Sequence, residues 1–197
     1  MENLEVTTTA NLYHLTRCSP PSLADKLTRG IWMLAYYLIF RFTPVPLHAW
    51  RCLVLRLFGA SIGRNCAIYP SARIWAPWNL ITQNSVTIGP LVNVYNVATV
   101  ELDNDVIVSQ GSHLCTATHD HFSEDFSLMT GPICIGPNAW IAAETFVGPG
   151  VAIGCSAVVG ARSTVTRPVA EFSIVAGSPA KVVGQRPAHA RNTLGRK

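Results

Sequence analysis

The residues of this chain best suited to moving a proton are gathered in one short run, Thr116-Ala117-Thr118-His119-Asp120-His121. Histidine as a side chain titrates near neutral pH, so one imidazole can take a proton from a hydroxyl or an amine. A carboxylate beside it, here Asp120, either orients the ring or caps the loop that carries it. His113 lies just upstream and immediately precedes an apolar residue, Leu114, that the pattern below turns inward; its own side chain is expected to face out. His113, His119 and His121 are also the close set of nitrogens that a metal would need. A metal site requires its ligands to converge, and neighbours at 119 and 121 do not favour convergence with a third. The six cysteines (Cys18, Cys52, Cys66, Cys115, Cys134, Cys155) include no CxxC pair. The first twenty residues have no apolar core of the kind a signal peptide carries. Reduced thiols and a cytoplasmic location are therefore expected. Cys66 and Cys115 read as fillers of small positions in a repeat.

The element that must position His119 is a repeat of period six. Apolar residues stand at Ile135, Ile141, Val147, Ile153, Val159 and Val165. Small residues mostly follow them, at Gly136, Ala142, Gly148, Gly154 and Gly160. A helix has a period near 3.6 and a strand a period of 2, so neither accounts for a strict six. A hexapeptide repeat does, and its structural reading is a parallel β-helix with one inward residue per short strand. Small residues suit the corners, where a bulky Cβ clashes. The same step runs upstream through Ile62, Ile68 and Ile74, then Thr82, Ile88 and Val94, then Leu102, Val108 and Leu114. Slips of two residues fall around Ala76-Pro77-Trp78-Asn79 and near Val97-Ala98-Thr99. Fifteen inward positions make about five coils of three strands. The interval from Leu114 to Ile135 exceeds the repeat by fifteen residues, so residues 116–132 must leave the prism as a protruding loop. Long loops on a rigid scaffold are often functional, and this one begins at the His run.

Three segments follow: an N-terminal arm and two helices over 1–60, the β-helix with its loop over 61–170, and a return segment with a basic tail over 171–197. Residues 1–22 read as an extended or loosely docked arm. Ser22 can cap a helix that starts at Leu23, with Asp25 in its first turn. Leu27, Ile31, Leu34, Ala35, Leu38 and Phe42 form a helical stripe. The opposite side is also apolar from Ile31 to Phe40, a run too short to span a bilayer. The segment 23–42 reads as a helix packed on the β-helix or on a neighbouring subunit; the alternative is peripheral association with a membrane surface. Pro44 ends this helix and Pro46 opens a second, with Leu47, Trp50, Val54 and Leu57 on one face and Gly59 at its C-terminal cap. The solenoid is expected to end near Thr166-Arg167-Pro168. Charged residues make up 13% of the chain against roughly 25% in ordinary soluble domains, which points to covered outer surface. The net charge of +4 is mild and no run of Lys and Arg is present, so nucleic acid is not an expected partner.

The sequence resembles the hexapeptide-repeat O-acetyltransferases, in particular the maltose, galactoside and nodulation acetyltransferases and the colanic acid biosynthesis acetyltransferase group. The resemblance rests on Thr116 to Asp120, Ile135 to Ile141, Val147 to Gly154, Val159 to Arg167 and Val175-Ala-Gly-Ser-Pro-Ala-Lys181, with Pro46 to Arg51 and Leu57 to Ala60 upstream. It covers about residues 23–185. It implies a left-handed β-helix, a homotrimer with each site between two subunits, and acetyl-CoA as co-substrate with no metal. His119 would be the general base that deprotonates a sugar hydroxyl of an exopolysaccharide or surface glycan, and the oxygen would attack the thioester directly. By the same resemblance Ala143, Ala161, Thr166, Arg167 and Lys181 hold the cofactor. The family often has a second basic residue at the position of Gly184; Arg186 is the candidate to replace it. Tyr95, Asn96 and Asp120 are candidates for the acceptor side, with a turn-forming role as the alternative for Asn96. Two other readings share the β-helix: a γ-class carbonic anhydrase, which needs three converging His, and a scaffold without catalysis. The resemblance leaves an amine acceptor open.

Overall fold

A computed structural model describes residues 15–18 and 22–187; the rest of the expected arm (1–14, 19–21) and of the tail (188–197) lies outside the described residues. Short strands stack in parallel register on three faces. The inward residues of the first face are Ile62, Thr82, Leu102, Ile135 and Ile153. On the second they are Ile68, Ile88, Val108, Ile141, Val159 and Val175. On the third they are Ile74, Val94, Leu114, Val147 and Val165. All of them are buried. The step of six is thus a prism core of β-branched and Leu side chains, each seated between its counterparts one coil above and below.

The corners explain the remaining pattern. A Cβ on Gly63 would lie 2.4 Å from the Gln83 carbonyl carbon, and one on Gly154 would lie 2.4 Å from the Glu171 nitrogen. At these two corners the residue after the inward position has no room for a side chain. The left-handed backbone falls two residues later. Asn65, Ser85, Leu91, Asp105, Asn138, Glu144, Ser156, Arg162 and Phe172 have φ of 55 to 59°, a region where Asn and Asp are favoured over branched residues.

The solenoid runs further than the sequence suggests. Val169 bridges Ile153 in parallel, and Ser173–Ala176 pairs in parallel with the strand of Val159. Five full coils are followed by part of a sixth. Lys181–Gln185 then returns antiparallel along Ser173–Ala176. The excursion after Leu114 is a hairpin, with Ala117–His119 antiparallel to Leu128–Thr130. Thr16–Arg17 adds a third strand, so this part of the arm is extended and docked.

Both helices present a different face to the body from the one expected. Helix α1 spans Leu23–Ala35 and continues as a π-turn over Tyr36–Phe40. Its Ser22/Asp25 capping box forms as expected. The buried line, however, is Trp32, Tyr36 and Phe40. Trp32 packs on Tyr36, Phe40 and Phe58, and its indole N–H donates to the Ile74 carbonyl at 2.7 Å. Of the expected stripe, Leu27, Ile31, Leu34, Leu38 and Phe42 are exposed and Ala35 is half-buried. With apolar residues on both sides, periodicity could not choose between them; the larger aromatic rings bury more area and win the inner side.

Helix α2, His48–Leu57, buries Arg51, Cys52, Val54 and Leu55, whereas Leu47, Trp50 and Leu57 of the expected face are exposed. Arg51 takes the inner seat because backbone carbonyls converge there. Its guanidinium donates to the carbonyls of Ile68, Pro44 and Val45 and to the Thr43 hydroxyl. Desolvation lowers its pKa from the usual arginine value. Phe58 caps α2, and Gly59 follows at φ +88°.

Candidate active site

The hairpin leaves the corner that follows the third face, and that corner fixes where His119 sits. Going up the prism, the same corner carries Trp75, Tyr95, Cys115, Gly148 and Thr166, each one residue past an inward position. Thr116 roots the hairpin there. Its hydroxyl donates to the Tyr95 carbonyl and accepts from the Ala98 N–H, and its carbonyl accepts from Gly131 N–H. On the far side Arg17 bonds Ser127 and pairs with Asp125 at 3.5 Å.

His119 is exposed at the end of its strand, opposite Leu128. Its Nδ1 lies 2.6 Å from the Phe126 carbonyl oxygen. A carbonyl only accepts, so Nδ1 carries the hydrogen and the neutral ring keeps its lone pair on Nε2. Phe126 holds φ +46°, the turn geometry that aims this carbonyl at the ring. Asp120 does not contact the imidazole. Its carboxylate accepts from the Phe122 N–H at 3.0 Å, an Asx turn within the hairpin loop. His121 is exposed and packs on Phe122. His113 is half-buried, edge-on to Phe146, with Nε2 accepting from the Asn93 amide at 3.2 Å. Burial pulls its pKa down from the usual histidine value. The three rings thus have three separate partners. Among the described residues no group of His, Cys, Asp and Glu is arranged to hold a metal.

A cleft of about 490 Å³ lies beside the hairpin, between Leu128 and the helix residues Ser22, Asp25 and Arg29, with Trp75 and Tyr95 in its wall. The Trp75 and Tyr95 rings are 5.2 Å apart, and the Arg29 guanidinium lies 5.3 Å over the Trp75 ring. A second cleft of about 290 Å³ shares Trp75 and Tyr95 and is closed by Tyr36, Arg73 and Asn93. The Tyr36 hydroxyl is buried there without a hydrogen-bond partner among the described residues. Asn96 is a different matter. It is wholly buried, accepts from the Ala76 N–H at 2.9 Å and donates to the Ala76 carbonyl at 2.7 Å. The two slips are stitched together by this amide, and it has no face toward the cleft.

The residues matched to a cofactor occupy two corners. Ala143 and Ala161 lie one coil apart on the corner after the second face, where Arg162 N–H donates to the Ala143 carbonyl. The loop Gly177–Ala180 forms the next level, with Gly177 N–H on Ser163 and Ala180 N–H on the Thr164 carbonyl, and it delivers Lys181 beside them. Thr166 and Arg167 lie across the third face, beyond the strand Thr164–Val165, on the corner of His119. Arg167 and Lys181 are exposed, and the ion pairs among the described residues, Arg17–Asp125 and Arg162–Glu144, involve neither. Arg186 turns elsewhere. It donates to the carbonyls of Asn138 and Ser156 on the corner after the first face, two residues past Gly184, which pairs with Ile174. Sequence reasoning missed Trp75, Arg29 and the Phe126 carbonyl. Trp75 stands one residue past the inward Ile74 with nothing in the repeat to mark it, and the other two carry no local signal.

The thiols are poor candidates for a nucleophile. The cysteines among the described residues form no disulfide, and burial pushes the Cys52 thiol up to about 11, leaving it protonated.

Over 156 residues the chain is 40% identical to a protein of Escherichia coli named as a colanic acid biosynthesis acetyltransferase, WcaF, covering 79% of this chain and 86% of that one. This chain belongs to the hexapeptide-repeat acetyltransferase family. No family model matches it. Solved structures agree on the fold. A galactoside acetyltransferase in complex with coenzyme A superposes with a TM-score of 0.79 at 20% identity, covering 90% of each chain. A hexapeptide-repeat acetyltransferase of Vibrio cholerae, complexed with acetyl-coenzyme A, superposes with a TM-score of 0.76 at 20% identity, covering 85% of this chain and 91% of that one.

Proposed function

We propose that the protein is an acetyl-CoA-dependent O-acetyltransferase that modifies a sugar hydroxyl in the synthesis of an exopolysaccharide or surface glycan. The observation that carries this reading is the His119 tautomer: with Nδ1–H held by the Phe126 carbonyl, Nε2 is left to accept a proton. That nitrogen belongs to the hairpin whose strand residue Leu128 lines the aromatic cleft. Trp75 and Tyr95 suit the apolar C–H faces of a sugar ring, and Arg29 suits its oxygens.

In this reading the acceptor hydroxyl donates to Nε2 of His119. As the proton moves to the imidazole, the oxygen attacks the thioester carbon, and the coenzyme A thiolate leaves and is reprotonated. Pantetheine amides bond backbone groups at Ala143 and Ala161, while Arg167, Thr166 and Lys181 take the phosphates. Tyr95 lines the acceptor side, and Asp120 acts through the shape of the loop. The two cofactor corners of one chain are separated by a prism face of two or three residues, about 7–10 Å. In a homotrimer a neighbouring copy would set one corner against the other, so that each site is shared between two subunits.

The test is transfer from acetyl-CoA to a panel of glycans and amines, read as released thiol, with His119→Ala alongside. The variant is expected to lose about 10²–10⁴-fold in kcat while still binding acetyl-CoA by calorimetry. Retained turnover removes His119 from the base role. Transfer confined to amines overturns the O-acetyl assignment.

A further inference from the structure

The side of α1 that the fold leaves outside is apolar along its whole length. Leu23, Leu27, Ile31, Leu34, Leu38 and Phe42 are 83, 68, 53, 62, 69 and 81% exposed. Rotation cannot hide them, because Trp32, Tyr36 and Phe40 already anchor the other side to the prism. The apolar surface continues onto α2 through Trp50, Leu53 and Leu57. Trp50 ties the two helices by donating from its indole N–H to the Ile39 carbonyl at 2.8 Å.

The charges around this surface have one sign. Residues 22–60 hold Lys26, Arg29, Arg41, Arg51 and Arg56 against a single acid, Asp25. Asp25 is committed to the cap of α1, while Arg51 and Arg56 are committed to backbone carbonyls. Arg29 faces the cleft over the Trp75 ring, and Lys26 and Arg41 remain as a cationic rim. An apolar stripe with a basic rim is the signature of an element lying in a bilayer interface, drawn there by anionic headgroups. A two-fold contact between copies through this face would set these cations against one another with no acid to answer them. Among the described residues no helix is long and apolar enough to cross a membrane.

We propose that α1 lies flat on an anionic lipid bilayer, with the Leu23–Phe42 stripe in the boundary between headgroups and acyl chains. The inner side of the same helix supplies Ser22, Asp25 and Arg29 to the 490 Å³ cleft, so docking holds the mouth of that cleft at the lipid surface.

The experiment is flotation of the full chain with vesicles of phosphatidylcholine alone or with about one-third phosphatidylglycerol, at low and high salt. The wild type is expected to float with the anionic vesicles, less so in high salt and weakly with neutral ones. L34E/L38E, on the exposed stripe, is expected to reduce the bound fraction about tenfold with melting temperature and oligomeric mass unchanged. K26Q/R41Q is expected to abolish the preference for anionic vesicles. A wild type that floats with neither vesicle overturns the proposal. So does an oligomeric mass altered by L34E/L38E, which identifies the stripe as a contact between copies. If L34E/L38E does not fold, K26Q/R41Q decides alone, and an undiminished preference for anionic vesicles overturns the rim's role.

Discussion

Asn96→Ala separates a scaffold from a ligand contact at a position where the sequence allows either. Asn96 has no exposed surface, and it exchanges two hydrogen bonds of 2.7 and 2.9 Å with the backbone of Ala76, itself 3% exposed. Truncation leaves the N–H of Ala76 buried and unpaired, while its carbonyl keeps the Asn79 N–H at 2.9 Å. An orphaned group costs about 1–3 kcal/mol, so a loss of about 2 kcal/mol is expected. Total stability of a domain is about 5–15 kcal/mol, so this is a sizeable part of it. At about 2–4 °C per kcal/mol for a chain of this size, the melting temperature should fall by about 4–8 °C. The assay is thermal melting and urea unfolding at matched protein concentration, since assembly raises apparent stability with concentration. Michaelis constants for acceptor and acetyl-CoA are measured on the folded fraction and are expected to stay within about twofold of the wild type, because a scaffold change leaves ligand contacts intact. A variant that melts within about 2 °C of the wild type and shows a raised acceptor KM would refute this reasoning and return Asn96 to the pocket.

Arg51→Ala leaves the carbonyls of Pro44, Val45 and Ile68 without their shared donor; a loss of about 3–5 kcal/mol is expected by urea unfolding, and a shift below about 1 kcal/mol would contradict it. His113 is held below its usual pKa by burial, so in acid the unfolded chain takes up a proton that the folded chain resists. Stability from this group is intact above the ordinary histidine pKa and declines as pH falls through it toward the folded value. The urea midpoint is therefore expected to drop between about pH 7 and 5, and His113→Gln to flatten that slope; an identical slope in the variant assigns the acid loss to other groups.

Local rules fixed the position of the prism and failed at its attachments. An inward residue every six positions is a property of neighbours along the chain, and one excess of fifteen residues could only be an excursion. The capping box at Ser22 and Asp25 is equally local. The choice of buried face on α1 is not: Leu34 and Trp32 are both apolar, and only the shape offered by Phe58 and the Ile74 carbonyl selects Trp32. Arg51 reads as a surface cation in sequence, and only the convergence of four oxygens from two chain segments, 43–45 and Ile68, makes it a buried staple.

The sequence alone determined the coil number to within one, the place where the chain departs from it, and His119 as the imidazole at that departure. Tertiary structure decided the proton's place on that ring, because the Phe126 carbonyl reaches it from across a hairpin turn. It decided that Asn96 holds the backbone of Ala76 and that Arg186 bonds the carbonyls of Asn138 and Ser156. It also turned the Leu27–Phe42 stripe outward. The physical reason is the same in each case: periodicity reports which residues are apolar and how they repeat, whereas the partner of a polar atom or the winner between two apolar faces is set by atoms distant in the chain.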